Sequence, residues 1–297
     1  MVNKIIFFFI FSLVLSVFNL FSPDTKHGQP EQFEIKSEKN VIKESEEGRS
    51  NKNNQDKTVS QENISETDNH MNENEEEVAF FEQTDILIVG LGDSLTLGVG
   101  DPTGDGYIGI IEKRLEEESK LNVSVQNFGK RGQRSDQLLK TLKNKNVRHS
   151  LEHADIIFIS IGGNDVMNVL KNNFLNLDVQ LFEEKSEDYL NNLRNAFQLI
   201  REINANAPVY MIGLFNPFFS YFQEIAEIEE VLQIWNDKSL QVASSFDDIH
   251  FVSIDSFFKN NQETLLYKDF FHPNRQGYQF IAEKILFAMS LENDFSF

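Results

Sequence analysis

A serine and a closely spaced aspartate–histidine pair could together carry out nucleophilic hydrolysis. Ser94 lies in "GLGDSLTLG" (90–98), while Asp269 and His272 lie in "DFFHPN" (269–274). A serine hydroxyl is a poor nucleophile until an imidazole takes its proton, and the imidazole needs an acid partner to fix its tautomer. Three residues on a turn are enough for a carboxylate to reach back to the ring. Gly132, in "NFGKRGQRS" (127–135), can offer an unhindered backbone N–H, and Asn164, in "GGND" (162–165), a side-chain amide. Together with the Ser94 N–H they would form an oxyanion hole, where loss of one donor typically costs about 10²–10³ in turnover. Blander uses exist for each residue. Ser94 could cap a helix, Asn164 and Asp165 could cap another, and His272 could simply be a satisfied turn residue. His27, His70, His149, His153 and His250 read as bystanders in polar segments or beside a strand.

Other chemistries fit less well. The glycines around Ser94 match neither G-x-x-x-x-G-K-[ST] nor G-x-G-x-x-G, so no phosphate loop is expected. Thr96 stands where a G-x-S-x-G elbow would have its second glycine. The chain has no cysteine, which removes disulfides, thiolate metal sites and thiol nucleophiles together. No His/Asp/Glu group shows metal-ligand spacing, so neither metal nor cofactor is expected. A formal net charge of −20 argues against a nucleic-acid partner, because phosphate binding relies on Lys and Arg.

The reactive residues need elements to hold them. Short apolar runs read as buried strands: "DILIVGL" (85–91), "VSVQNF" (123–128), "DIIFISI" (155–161), "PVYMIGLF" (208–215) and "IHFVSID" (249–255). Amphipathic stretches between them read as helices, most clearly 107–120, 186–207 and 275–289. This alternation implies crossover connections and a parallel sheet covered on both faces. The expected fold is a three-layer α/β/α sandwich of about five strands with flavodoxin-like order, spanning 85–297. In such sheets ligands bind outside the carboxyl ends of the strands. The polar clusters follow the first three strands and precede the last helix, so the topology would bring them to one edge.

"GDSLTLG", a glycine in the second loop, "GGND" and a late D-x-x-H resemble the four blocks of the SGNH, or GDSL, hydrolase superfamily of esterases and lipases. With "GLFNPF" and "DFFHPN", the chain looks most like its membrane-tethered lipase/acylhydrolase-like proteins from Bacillus and relatives. The resemblance implies that Ser94, Gly132, Asn164 and His272 are the namesake residues and that Asp269 completes the triad. The second block departs from the commoner "N-x-x-x-S-G-x-T", and Gly132 matches it better than Gly129. The implied reaction is cleavage of a small-molecule or lipid carboxylic ester through an acyl-enzyme. Two alternatives stay open: a cell-wall carbohydrate O-deacetylase with the same catalytic set, and a non-catalytic binding protein on the same fold. Phe218, Phe219 and Phe222, in "NPFFSYFQEI" (216–225), are the candidate substrate-binding residues, as the wall or lid of an acyl site.

Ahead of this domain, Ile5 to Phe21 form an apolar run interrupted only by two serines and Asn19. The run lies at the short end of a membrane span. One lysine precedes it, acidic sequence follows it, and no A-x-A-like site comes after. It reads as a signal anchor, with a cleaved signal peptide as the alternative. Residues 22–84 hold sixteen acids and seven bases with no apolar period, and read as a disordered acidic tether. The expected location is extracytoplasmic, on the membrane of a Gram-positive-like bacterium, or secreted if the run is cleaved. No oligomeric state follows from the pattern.

Overall fold

A computed structural model describes residues 86–119, 122–173, 178–219 and 226–291. The expected anchor (1–21) and tether (22–84) lie outside the described residues. Five strands form one parallel sheet: β1 (Ile86–Gly92), β2 (Val123–Asn127), β3 (Ile156–Ser160), β4 (Val209–Ile212) and β5 (Ile249–Val252), in the order β2-β1-β3-β4-β5. Nine helices are described: α1 (Ser94–Leu97), α2 (Gly106–Ser119), α3 (Ser135–Thr141), α4 (Lys145–Glu152), α5 (Gly163–Asn172), α6 (Val179–Ile203), α7 (Ala226–Ala243), α8 (Asp255–Leu265) and α9 (Arg275–Leu291). Among the described residues, none of these helices is long and apolar enough to cross a membrane.

The strand composition explains the layering. Alternate strand residues point to opposite faces, and β1, β3 and β4 are buried throughout. Leu87, Val89, Ile157, Ile159, Val209 and Met211 pack on one side with α3 to α7. Ile86, Ile88, Ile156, Phe158, Tyr210 and Ile212 pack on the other with α2, α8 and α9. The register pairs Ile88 with Ile156 and Ile157 with Val209, so apolar residues stack in rows across the sheet. These central strands are therefore continuous apolar runs rather than alternating ones.

Trp235 anchors the larger core. It is fully buried, stacks on Tyr189 at 4.9 Å and donates its indole N–H to the Phe182 carbonyl at 3.2 Å. Removing a ring of this size leaves a cavity that the surrounding helices cannot fill. Trp235→Ala is expected to lower unfolding stability by about 3–5 kcal/mol, measured by urea denaturation. A loss below about 1 kcal/mol would contradict that role.

The chain reverses direction across the sheet at β1. The first crossover places β2 on one side, and the second returns past β1 to β3. That switch point opens a crevice at the carboxyl ends of β1 and β3.

Candidate active site

Ser94 enters that crevice because β1 ends in a turn only glycine can make. Gly92 has φ +117, and a Cβ there would sit 1.9 Å from the Ser160 carbonyl oxygen. Asp93 follows, donating its N–H to that same carbonyl at 2.9 Å and capping α1 by accepting from the Leu95 N–H at 3.0 Å. The cap is therefore Asp93, and Ser94 is the first helical residue. The Ser94 N–H belongs to a first helical turn, which has no intrahelical acceptor.

The loop after α8 closes on itself. Leu266 bridges Pro273, the Tyr267 N–H donates to the His272 carbonyl at 2.7 Å, and Phe270 takes a left-handed φ of 57. This tight reversal folds Asp269 back onto His272. Asp269 Oδ1 accepts the backbone N–H groups of Phe271 and His272, each at 3.0 Å, and Oδ2 accepts the His272 Nδ1–H at 2.7 Å. His272 Nε2 then accepts the Ser94 hydroxyl at 2.9 Å, across 178 residues of chain. Burial opposes ionisation of Asp269, but the bonds from the His272 ring and backbone prevail and hold its carboxyl below the usual range.

Two further loops are tied together beside Ser94. Asn164 Nδ2 donates to the Gln133 carbonyl at 3.0 Å, using one of its two amide hydrogens. Asp165 accepts from the Ser135 hydroxyl at 2.6 Å and from the Ser135 backbone N–H. These bonds bracket the segment next to Gly132, which has φ +73. Gly129 is differently employed: its N–H donates to Asn127 Oδ1 at 2.9 Å, and a Cβ there would strike the Leu97 nitrogen. The helix containing Asn164 and Asp165 is capped by Gly162, so neither residue serves as that cap.

A buried polar chain beneath the nucleophile had no counterpart in the sequence reading. Ser160 Oγ donates to Asp93 Oδ1 at 2.7 Å, and it also bonds Thr96 Oγ1 at 2.7 Å, which reaches Tyr107 Oη at 2.9 Å. The available signal was a lone serine closing the apolar run "IIFIS". Burial pushes the Asp93 carboxyl up to about 6, partly countered by the Ser160 hydroxyl and the Leu95 N–H, with the Asp165 charge adding to the rise. Burial likewise lifts Asp165 to about 6 against its bonds from Ser135.

These two carboxyls bind protons more readily in the folded than in the unfolded chain. Stability from this source therefore rises as pH falls from 7 through 6, until the unfolded carboxyls protonate as well. Asp269 works in the opposite sense, but its contribution is lost only below the ordinary carboxyl range. The melting temperature is expected to rise by a few degrees between pH 7 and pH 5. Asp165→Asn, which keeps an acceptor for Ser135, should remove roughly half of that rise. A melting temperature that falls over this interval would contradict both shifts.

An apolar cleft of about 100 Å³ opens at Ser94, His272 and Asn164. Val166, Met167, Leu170, Leu214, Phe218 and Leu232 line it. Of the three candidate substrate-binding phenylalanines, Phe218 is in this wall, its ring 5.9 Å from Phe271. Phe219 is not in the wall, which corrects the expectation. It is half-buried under the Lys259 ammonium, 4.8 Å from its ring, because α8 offers the loop a cation to stack on. Phe222 lies outside the described residues. The expectation that no group shows metal-ligand spacing is also corrected: ligand atoms of His149, Glu152 and His153 lie within 4.8 Å of one another at the exposed end of α4. Residues three and four apart share a helix face. This group precedes β3 and so lies toward the opposite edge of the sheet from Ser94.

The sheet order and the serine–histidine–aspartate relay at its carboxyl edge define an SGNH-type α/β hydrolase. The chain belongs to the GDSL-like Lipase/Acylhydrolase family, whose sequence pattern matches residues 91–280. It is 36% identical over 210 residues to YpmR of Bacillus subtilis (strain 168), covering 70% of this chain and 82% of that protein. It is 28% identical over 200 residues to the spore germination lipase LipC of Bacillus licheniformis, covering 66% of this chain and 92% of that one. Among solved structures, the lipase Lip_vut3 from a goat rumen metagenome superposes with a TM-score of 0.63 at 28% identity, covering 68% of this chain and 97% of that one.

Proposed function

We propose that this protein hydrolyses carboxylic esters with apolar acyl groups through an acyl-enzyme on Ser94. One observation carries the reading: the 2.9 Å and 2.7 Å hydrogen bonds linking Ser94, His272 and Asp269 end at the mouth of the apolar cleft. His272 takes the Ser94 proton as the oxygen attacks the ester carbonyl, and it returns that proton to the departing alkoxide. Water then repeats the sequence to release the acid. Asp269 holds the Nδ1–H tautomer and stabilises the imidazolium as it forms. The Ser94 and Gly132 N–H groups and the free hydrogen of the Asn164 amide stabilise the oxyanion. The Gly132 role is supported by the prior commitment of the Gly129 N–H to Asn127.

The apolar lining of the cleft favours acyl groups longer than acetyl, because a longer chain buries more apolar surface against Val166, Met167, Leu170, Leu214 and Leu232. The apolar run at 5–21 and the acidic stretch at 22–84 support an extracytoplasmic domain held to a membrane by a tether. A fluorophosphonate probe should form a stoichiometric adduct on the peptide containing Ser94, identified by mass spectrometry. No adduct, or one on another residue, would rule out the mechanism.

A further inference from the structure

We infer that the exposed end of α4 binds one divalent transition-metal ion through His149, Glu152 and His153. This site goes beyond the ester-hydrolase reading and does not depend on it. The ligand atoms of the three side chains all lie within 4.8 Å of one another. Zinc–ligand bonds are about 2.0–2.2 Å long, so donors on one ion stand about 3.3–3.6 Å apart. The His149 and Glu152 side chains are each 49% exposed and His153 is exposed, so small rotations can close the gap. His149 Nδ1 already stands 4.0 Å from Glu152 Oε2, and the two imidazole rings are 4.7 Å apart.

One hydrogen bond prepares a ligand in advance. His153 Nδ1 lies 2.9 Å from the His149 carbonyl oxygen. A carbonyl can only accept, so Nδ1 carries the proton and Nε2 keeps its lone pair. Metal-binding histidines are held in this way, with the second ring nitrogen donating to a carbonyl or a carboxylate. The backbone beneath is equally fixed. Val147 and Leu151 are buried and seat α4 on the core. The Asn204 amide donates to the Leu151 and Ala154 carbonyls at 2.8 and 2.9 Å. Asp155 then joins the chain to β1, accepting the Leu87 N–H at 2.7 Å. The ion therefore does not have to order this helix end in order to bind.

Donor type selects the ion. Two imidazole nitrogens and one carboxylate suit zinc, copper or nickel, whereas calcium and magnesium take oxygen ligands. The negative end of the helix dipole attracts a cation at this position, and so does a chain of net charge −20. Lys145 and Arg148 are exposed cations on the same helix, and their long stems let those charges move off into water. Three protein ligands leave a fourth position for water. Bound there, the ion ties the last turn of α4 to the residue that leads toward β3, and so favours the folded chain.

The test titrates the metal-free full-length protein with zinc chloride by calorimetry, beside the H149Q/H153Q variant. The wild-type protein should bind one zinc per chain at this site. The variant should bind it at least about 100-fold more weakly, more than the loss of a supporting hydrogen bond costs. Zinc at about 100 times its Kd should raise the wild-type melting temperature by about 5 °C, reversibly with EDTA, and leave that of the variant unchanged. Calcium or magnesium at the same concentration should do neither. E152Q, which leaves both rings in place, is the second variant and should weaken zinc binding by roughly tenfold. Equal zinc affinity in the wild-type protein and either variant would overturn the three-ligand site. So would a wild-type melting temperature indifferent to zinc, or one ion shared between two chains. None of these readouts involves Ser94, so their failure would leave the hydrolase reading intact.

Discussion

Ser94→Ala is expected to reduce ester turnover by roughly 10⁴–10⁶-fold, with melting temperature nearly unchanged. The hydroxyl is hydrogen-bonded to His272 Nε2 and so is placed to attack, and alanine leaves His272 with no proton to take from that position. The relay is non-additive, so Ser94→Ala combined with His272→Ala should be scarcely worse than either alone. What remains would come from the oxyanion donors and the cleft, which still bind the substrate. Little stability should be lost, because among the described residues the hydroxyl's bond is to the His272 ring, while the Asp93–Ser160–Thr96 chain beneath it stays whole. Initial rates on p-nitrophenyl butyrate and a thermal melt decide the matter. Activity within tenfold of wild type would show that another residue carries the acyl group.

Asp269→Asn should cost about 10⁴-fold in kcat, although the substitution changes one atom. The reason lies in how this loop uses the two carboxylate oxygens. Oδ1 accepts two backbone N–H groups, so an asparagine would place its carbonyl oxygen there. Its NH₂ group would then face His272 Nδ1 where Oδ2 now accepts a proton. A donor at that position forces the other tautomer, with the proton on Nε2, and such a ring cannot accept from Ser94. The loss should therefore appear in kcat with little change in KM. Because Asp269 is held below the usual carboxyl range, its own protonation does not shape activity between pH 5 and 8. A variant retaining more than about a tenth of wild-type kcat would show that the ring orientation has another source.

The strands were legible because their apolar character is local and continuous. "DIIFISI" reads as a buried strand from its composition, and Ile156–Ser160 is that strand. The helix expected at 186–207 begins earlier, at Val179, because Asp178 caps it through the Gln180 N–H and Phe182 turns inward to meet Trp235. The polar stretch "EEKSED" masked that continuation, since all of it but the buried Ser186 is exposed on the solvent side of the helix. α1 was legible in the sequence only as a helix that Ser94 could cap: its four residues are too few to show a period, and it is held by the Asp93 cap and by Ser160.

The chain's own chemistry singled out Ser94, Asp269, His272 and Asn164 as the candidates, because few side chains can act as nucleophile, acid, base or amide donor. It also determined the order of strands and helices, since burial on both faces leaves its mark along each segment. Only the tertiary structure decided how these parts meet. The switch at β1 sets Ser94 against a histidine 178 residues away, and the reversal at Phe270 orients the carboxylate. Ser160 and Tyr107 became part of the site through packing alone, being ordinary residue types far apart in sequence. Phe218 and Phe219 are adjacent in sequence, yet one lines the cleft and the other meets Lys259. Their directions depend on neighbours contributed by other elements, and no local pattern encodes those.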